Sequence, residues 1–127
     1  MARILIAEDE ESIRQLVARA LAQDGHDIMT ANDGAEALDV LARAEGTFEL
    51  LLTDIRMPVM DGIALAVAAA RQHPALTILL MTGYADQRER ANGLDAIVFD
   101  VVPKPFTLAT IRAAVSDALR AHAGPTH

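Results

Sequence analysis

Five short apolar runs, separated by longer stretches of helical spacing, constrain the fold of this chain more than any other feature. The runs cover residues 4–7, 28–31, 49–53, 77–81 and 97–101. Most of them are apolar at consecutive positions, which is typical of strands that are covered on both faces of a sheet. Strands that alternate with helices along a chain favour βαβ crossovers. We therefore predict a sheet of five parallel strands.

The stretches between the runs predict helices. Apolar residues recur at helical spacing over residues 12–23, 35–45, 63–72 and from 108 onwards. The first and last helices are predicted to bury Ile13, Leu16, Val17, Leu21, Leu108, Ile111, Val115 and Leu119. Ser12 is expected to cap the first helix, and Asp24 with Gly25 is expected to end it.

Residues 85–93 have the length of a fifth helix but almost no apolar stripe. They predict either a weakly anchored helix that moves or binds a partner, or an ordinary solvated helix. Five strands and five helices in this order predict an α/β, doubly wound, flavodoxin-like fold with strand order 2-1-3-4-5. We expect one domain over residues 1–122, followed by a short flexible tail at 123–127 that leaves no room for an output domain.

Charge and composition exclude several classes of function. The net charge is −7, whereas direct binding to nucleic acid is expected of a basic surface. The chain has no cysteine, which excludes disulfides, thiol catalysis and thiolate metal sites. No apolar run is long enough to span a bilayer, and the first residues are too few for a signal peptide. We expect a soluble, cytoplasmic protein without a membrane or nucleic-acid partner.

Polar residues close four of the five apolar runs. Glu8 and Asp9 follow the first run, Asp54 follows the third, Thr82 follows the fourth, and Lys104 lies shortly after the fifth. The carboxyl ends of parallel strands face one crevice, where ligands bind. We therefore expect these five side chains to converge on a single site.

The residue types in this group favour phosphate chemistry with a metal. Three carboxylates in a small space repel one another, and a divalent cation relieves the repulsion. Oxygen ligands without histidine or cysteine indicate Mg²⁺. Asp54 is the candidate nucleophile, since aspartate carboxylates form aspartyl phosphates. Lys104 would neutralise charge on a phosphoryl group, and Thr82 would offer it a hydroxyl group.

Four segments carry a resemblance to a known family. Residues 51–62 (LLTDIRMPVMDG) resemble the phosphoacceptor segment of bacterial two-component response-regulator receivers, the CheY-like domains. Residues 7–10 are similar to the acidic pair of that family, residues 81–83 to its Thr/Ser signature, and residues 104–106 to its lysine motif. The four segments occur in the family's order and spacing, so the resemblance covers essentially the whole chain.

The resemblance implies a role for each of these residues. It implies that Asp54 accepts a phosphoryl group from a histidine kinase or a histidine phosphotransfer protein, and that Thr82 and Lys104 bind this group. The implied Mg²⁺ ligands are Glu8 through its water shell, Asp9, Asp54 and the backbone carbonyl of Arg56. The implied chemistry is limited to Mg²⁺-dependent autophosphorylation and slow autodephosphorylation, so the chain would not be an enzyme. In relatives the bond that corresponds to Lys104–Pro105 is often cis.

One position departs from the family pattern. Receivers usually carry an aromatic switch residue three positions before the lysine, and Val101 stands there in this chain. Tyr84, the only tyrosine, lies two residues after Thr82. We expect either that Tyr84 replaces the missing switch residue or that it simply packs over the loop.

Three functions are compatible with this reading. In the first, phosphorylation of a stand-alone receiver switches its binding to a downstream protein, such as protease or kinase machinery. The site loops and the short tail resemble those of single-domain receivers that act as protease adaptors in bacterial cell-cycle control. In the second, the chain is a phosphorelay shuttle that passes the phosphoryl group to a histidine on a helical partner, which docks on the first helix. The third, an aspartate-nucleophile phosphatase, needs a carboxylate at position 56, where the chain has Arg56.

Overall fold

The computed structural model describes residues 2–44, 47–83, 93–94 and 96–123. Within these residues the chain forms the strands β1 (Arg3–Ala7), β2 (Asp27–Ala31), β3 (Leu50–Asp54), β4 (Thr77–Thr82) and β5 (Asp100–Pro103). The helices are α1 (Glu11–Gln23), α2 (Gly34–Ala44), α3 (Gly62–Gln72) and α4 (Leu108–Ala123). The fifth helix that the sequence predicts over 85–93 lies outside the described residues, apart from Gly93. The last helix extends one residue into the predicted tail, and residues 124–127 lie outside the described part.

The five strands form one parallel sheet in the order β2-β1-β3-β4-β5, which confirms the predicted topology. The register aligns the strand ends that carry the candidate site. Ala7 of β1 lies beside Thr53 of β3, and Asp54 lies beside Met81 of β4. Thr82 in turn lies beside Pro103 of β5. The residues that close β1, β3, β4 and β5 therefore emerge at one edge of the sheet.

Side chains alternate between the two faces of the sheet, so each face has its own apolar cluster. Ile4, Ile6, Leu50 and Leu52 pack with residues of α1 and α4, among them Val17 and Ile111. On the other face, Leu5 and Leu51 pack with residues of α2 and α3, among them Leu41 and Leu65. Because both faces are covered, the central strands are apolar at consecutive positions, as the sequence indicates.

The predicted fifth strand begins three residues too early and ends two residues too early. The strand is Asp100–Pro103, whereas residues 97–101 were expected. The backbone N–H groups of Ile97 and Val98 both donate to the Leu94 carbonyl and form a turn. A turn that packs onto the core carries the same apolar residues as a buried strand, so the sequence alone does not separate them. Pro103 is tolerated because β5 is an edge strand, where a missing N–H donor has little effect.

Two predictions for α1 were also wrong. Ser12 does not cap the helix, because the residue at the cap position is Glu10, whose side chain makes no capping hydrogen bond. Leu16 was expected in the core, yet 53 % of its surface is exposed. The predicted end of the helix is confirmed. Gly25 adopts a φ of +93°, and its N–H donates to Ala22, which closes the helix with a left-handed residue.

Each helix in the described part of the chain is too short or too polar to span a bilayer.

Candidate functional site

Three carboxylates meet at the carboxyl edge of the sheet. Glu8 and Asp9 directly follow β1, and Asp54 is the last residue of β3. One oxygen from each side chain lies within 4.8 Å of the others. Glu8 is 1 % exposed and Asp54 6 %, whereas Asp9 is exposed. The structure thus brings together the acidic residues that the sequence singled out, with Glu8 as the most deeply buried of them.

Lys104 joins the acidic group from the loop after β5. Its Nζ lies 3.0 Å from Asp54 Oδ2 and 3.1 Å from Glu8 Oε1, so one ammonium group bridges two carboxylates. Burial of Lys104 acts to lower its pKa, but the charges and hydrogen bonds of Asp54 and Glu8 together outweigh burial, and the pKa of Lys104 is raised. Burial raises the pKa of Glu8 to about 7, and the Asp54 charge adds to this effect. The hydrogen bonds from the Glu10 N–H and from Lys104 oppose it.

The turn between β1 and α1 holds Glu8 and Asp9 in place. The Glu8 N–H donates to the Ala31 carbonyl of β2 over 3.1 Å. The Glu10 N–H donates to Glu8 Oε2 over 3.1 Å, so the Glu8 side chain also closes the turn. Arg14 Nη1 donates to the Glu8 carbonyl over 2.9 Å. Arg14 was not among the residues identified from the sequence, because an arginine in the first turns of a helix carries no signal of such a contact.

Asp54 is fixed by the backbone around it. The Ile55 N–H donates to Asp54 Oδ1 over 2.9 Å. Gly62, the first residue of α3, packs so closely that a Cβ atom there would lie 2.0 Å from the Asp54 carbonyl oxygen. The Gly62 N–H also donates to the Ile55 carbonyl over 2.7 Å. Asp61 caps α3 by accepting from the Ala64 N–H over 2.8 Å. Gly62 therefore determines how closely α3 approaches the nucleophile candidate.

Thr82 and Lys104 are linked through their backbones. Thr82 ends β4 with 1 % of its surface exposed, and its carbonyl accepts the Lys104 N–H over 2.6 Å. The Lys104–Pro105 bond is cis, as the resemblance implies. Val101 is half-buried on β5 beside Leu80. Tyr84 lies outside the described residues, so its expected role stays a prediction.

A cleft of about 640 Å³ opens above the carboxylates. Its floor is formed by the acidic group and Lys104, and Arg56 also lines it. One side is apolar, with Ile13 and Leu16 from α1 and Phe106 after β5. The cleft thus combines a charged floor with an apolar wall.

The donor set of the floor fits a hard divalent cation. Three carboxylates supply oxygen atoms within 4.8 Å of one another, and the chain has no cysteine to supply a thiolate ligand. Mg²⁺ is bound in proteins by one or two carboxylates and several waters, usually beside a phosphate group. The residues therefore fit the metal that the sequence predicts.

Comparisons with known proteins agree with this arrangement. The chain matches the response regulator receiver domain family over residues 4–116. It is 39 % identical over 105 residues to the DNA-binding transcriptional regulator NtrC of Escherichia coli K12, covering 83 % of this chain and 22 % of NtrC. It is 36 % identical over 118 residues to response regulator MprA of Mycobacterium leprae, covering 93 % of this chain and 51 % of MprA. The chain thus spans about half of MprA and less than a quarter of NtrC.

A solved structure is similar over nearly the whole chain. Response regulator protein TrrA of Thermotoga maritima, in complex with Mg²⁺ and BeF, superposes with a TM-score of 0.80 and 30 % identity. The match covers 93 % of this chain and 99 % of the TrrA chain. Fold, site and family match coincide, and this chain belongs to the response regulator receiver domain family of two-component systems.

Proposed function

We propose that this chain accepts a phosphoryl group on Asp54 from a histidine kinase or a histidine phosphotransfer protein, and that phosphorylation switches its binding to a partner protein. The observation that carries the proposal is the position of the Asp54 carboxylate. It lies beside two other carboxylates and 3.0 Å from the Lys104 ammonium group, on the floor of an open cleft.

Asp54 has the properties of a nucleophile for phosphoryl transfer. Each of its carboxylate oxygens accepts one hydrogen bond, from the Ile55 N–H and from Lys104, which orients the group and leaves lone pairs for attack. In the step, an Asp54 oxygen bonds to phosphorus while the bond from phosphorus to the donor nitrogen breaks. The leaving nitrogen keeps the electron pair and takes a proton. The product is an acyl phosphate on Asp54.

We propose Asp9, Asp54 and the backbone carbonyl of Arg56 as direct Mg²⁺ ligands, with Glu8 acting through the water shell. A bound Mg²⁺ supplies positive charge to the phosphoryl oxygens and relieves repulsion among the carboxylates. The role given to Glu8 agrees with its contacts, because its two oxygens already accept from Lys104 Nζ and from the Glu10 N–H.

Lys104 and Thr82 would transmit the change. A phosphoryl group adds roughly −1.5 to −2 charges to Asp54 and three strong acceptors. The Lys104 ammonium group, which contacts both Asp54 and Glu8, would move toward the phosphoryl group. The Thr82 hydroxyl would donate a hydrogen bond to a phosphoryl oxygen. Because the Lys104 N–H is bound to the Thr82 carbonyl, the ends of β4 and β5 would shift together. A partner that binds one of the two states more tightly then shifts the population.

Tyr84 is our proposed reporter of this change, since Val101 occupies the position of the usual aromatic switch. The chain has one tyrosine and no tryptophan, so its intrinsic fluorescence comes from Tyr84 alone. Treatment with a phosphodonor is expected to change this fluorescence in the unsubstituted protein and to leave the fluorescence of Asp54→Asn unchanged. A phosphorylated protein whose tyrosine emission stays constant would contradict the role of Tyr84 and leave the role of Asp54 intact.

The test of the proposed function is intact mass spectrometry after incubation with acetyl phosphate, with and without Mg²⁺. We expect a Mg²⁺-dependent gain of one phosphoryl group, absent in Asp54→Asn and present in Asp100→Asn, a control at an exposed aspartate. No gain from acetyl phosphate, phosphoramidate or a phosphorylated histidine phosphotransfer protein would overturn the proposal.

The phosphorelay alternative is favoured by one observation. Leu16 is 53 % exposed on α1 and forms part of the apolar wall of the cleft with Ile13 and Phe106. An exposed apolar wall beside the nucleophile suits a helical protein that brings its histidine to Asp54. Transfer of labelled phosphate from Asp54 back to a histidine phosphotransfer protein would support the shuttle. Hydrolysis without back-transfer would favour the switch.

We also propose residues 1–122 as the receiver domain. The family match over residues 4–116 supports this extent.

A further inference from the structure

The turn between β1 and α1 crowds negative charge beside the cleft. Residues 8–11 are four consecutive acidic residues, and the Asp9 carboxylate also lies within 4.8 Å of Asp54. Like charges at this separation repel one another, and the repulsion favours a turn that swings Asp9 away from Asp54. Specific contacts must therefore hold the turn closed if Asp9 is to serve as a ligand.

The start of α1 supplies little of this restraint. Glu10 occupies the cap position, and its side chain makes no capping hydrogen bond to the helix. It accepts instead from the Ser12 hydroxyl over 3.3 Å, on the exposed side of the turn. Inside the turn, the Glu10 N–H bonds to the Glu8 carboxylate. That bond fixes Glu10 relative to Glu8 but does not tie the turn to the helix.

Arg14 links the turn to helix α1. Its Nη1 donates over 2.9 Å to the Glu8 carbonyl, while its own N–H donates over 2.9 Å to the Glu10 carbonyl. A hydrogen bond from a guanidinium group is charge-assisted and stronger than a neutral one. Arg14 is half-buried. The described residues that line the cleft include its neighbour Ile13 but not Arg14. Arg14 therefore contacts the backbone of the turn and is not itself part of the cleft lining.

We infer that Arg14 is a positioning residue, which holds the β1–α1 turn in the conformation that places Asp9 beside Asp54 and thereby raises the affinity for Mg²⁺. The inference rests on the proposed function, since it concerns the same metal site. Partners that orient metal ligands typically change metal affinity 10- to 100-fold. We expect Arg14→Met, which keeps the aliphatic stem and loses the guanidinium group, to bind Mg²⁺ roughly tenfold more weakly.

The sign of the change separates positioning from simple electrostatics. Removal of a positive charge near a cation site should by Coulomb's law strengthen cation binding. Positioning predicts the opposite result. Arg19→Met removes the same charge from an exposed position on the same helix and serves as the matched control. We expect this control to bind Mg²⁺ as tightly as the unsubstituted protein, or slightly more tightly.

The experiment is a Mg²⁺ titration of the ¹⁵N-labelled protein followed by the amide shifts of residues 8–10. Unfolding in EDTA is measured in parallel, to compare folded populations. Arg14→Lys keeps the charge and one donor and is expected to bind with intermediate affinity, which provides a second, milder variant. Weaker binding by both Arg14 variants, with Arg19→Met unchanged, would support the inference.

Two results would contradict it in different ways. Binding by Arg14→Met and Arg14→Lys that equals or exceeds that of the unsubstituted protein would overturn the role of Arg14 alone. Failure of the unsubstituted protein to bind Mg²⁺ would overturn the proposed metal site, and the inference with it.

Discussion

Lys104 lies between two carboxylates at the centre of the site, and its ammonium group balances part of their charge. Asp54 and Glu8 are almost fully buried, so neither carboxylate is well solvated by water. A buried charge that loses its partner is strongly destabilising, whereas the intact pair contributes little by itself. The residue that we propose to bind the phosphoryl group thus also makes the acidic cluster compatible with a folded chain.

The counter-charge from Lys104 should contribute measurably to stability. Lys104→Met should lower the free energy of unfolding by about 3 kcal/mol in EDTA, because two buried carboxylates lose their counter-charge. Mg²⁺ should recover much of the loss, since a cation at the same carboxylates replaces the missing charge. The measurement is urea denaturation with and without Mg²⁺. Equal losses in both conditions would show that Lys104 stabilises the fold by packing alone.

Val59 is a second residue with an unusual conformation. It lies in the loop between Asp54 and α3, 84 % exposed, with a φ of +69°. Left-handed backbone costs roughly 1–2 kcal/mol for a residue with a Cβ atom, and asparagine tolerates it better than valine. The loop therefore stores strain beside the nucleophile candidate.

We predict that Val59→Asn raises the free energy of unfolding by about 1 kcal/mol. Val59→Ala is the control, because alanine removes most of the exposed apolar side chain but keeps a Cβ atom at positive φ. Thermal unfolding of the three proteins in EDTA tests the prediction. A gain for Val59→Ala as large as that for Val59→Asn would attribute the effect to the exposed side chain instead of the backbone.

At the level of elements, α3 is placed by its first residue. The Asp54 carbonyl leaves no room for a Cβ atom at Gly62, and the clash is with backbone that cannot rotate away. Gly83 offers a contrast on the next strand end, where a Cβ atom would lie 3.9 Å from the Lys104 side chain.

Gly62→Ala should therefore destabilise the protein by more than about 3 kcal/mol, since α3 or β3 must shift. Gly83→Ala introduces the same methyl group at ordinary contact distance and should change stability by less than about 1 kcal/mol. Chemical denaturation of both variants gives the comparison. Similar losses at the two positions would contradict the steric explanation.

The sequence predicted most elements because their apolar patterns depend on local geometry. β1, β3 and β4 are buried on both faces, so consecutive apolar residues identify them directly. β5 was misplaced because the turn at Ile97 and Val98 packs on the core and looks like a strand. Leu16 was misassigned because helical spacing does not reveal where a helix turns toward an open cleft.

The convergence of the site residues was predictable from the sequence, but their individual burial was not. Convergence of Glu8, Asp54 and Lys104 follows from the parallel sheet, which brings strand ends to one edge. The sequence did not indicate that Glu8, rather than Asp9, is the buried residue of the pair. That difference depends on the turn after β1, and hence on contacts such as the one from Arg14. Side-chain contacts of this kind have no recognisable sequence pattern.

On the scale of the whole molecule, the sheet divides the core into two clusters. Leu51 belongs to the cluster with α2 and α3, and Leu52 to the cluster with α1 and α4. Both side chains are fully buried in the same central strand. The two clusters share one backbone, so we expect them to unfold together.

We predict that Leu51→Ala and Leu52→Ala each lower the free energy of unfolding by about 3 kcal/mol. Each variant should still unfold in a single transition, with far-ultraviolet circular dichroism and amide NMR reporting the same midpoint. Two separated transitions in either variant would show that one face of the sheet can unfold without the other.

The ion pairs of Lys104 also affect how its amine reacts with labelling reagents. It is the only lysine in the chain, and its amine is tied to Asp54 and Glu8 with a raised pKa. Amine-directed acylating reagents attack only the neutral, accessible form of a lysine. The rate at which such a reagent modifies this side chain therefore measures how often the ion pair opens. Acylation of this one lysine side chain, distinguished from the α-amino group by peptide mapping, thus reports on the unphosphorylated site without any engineered probe.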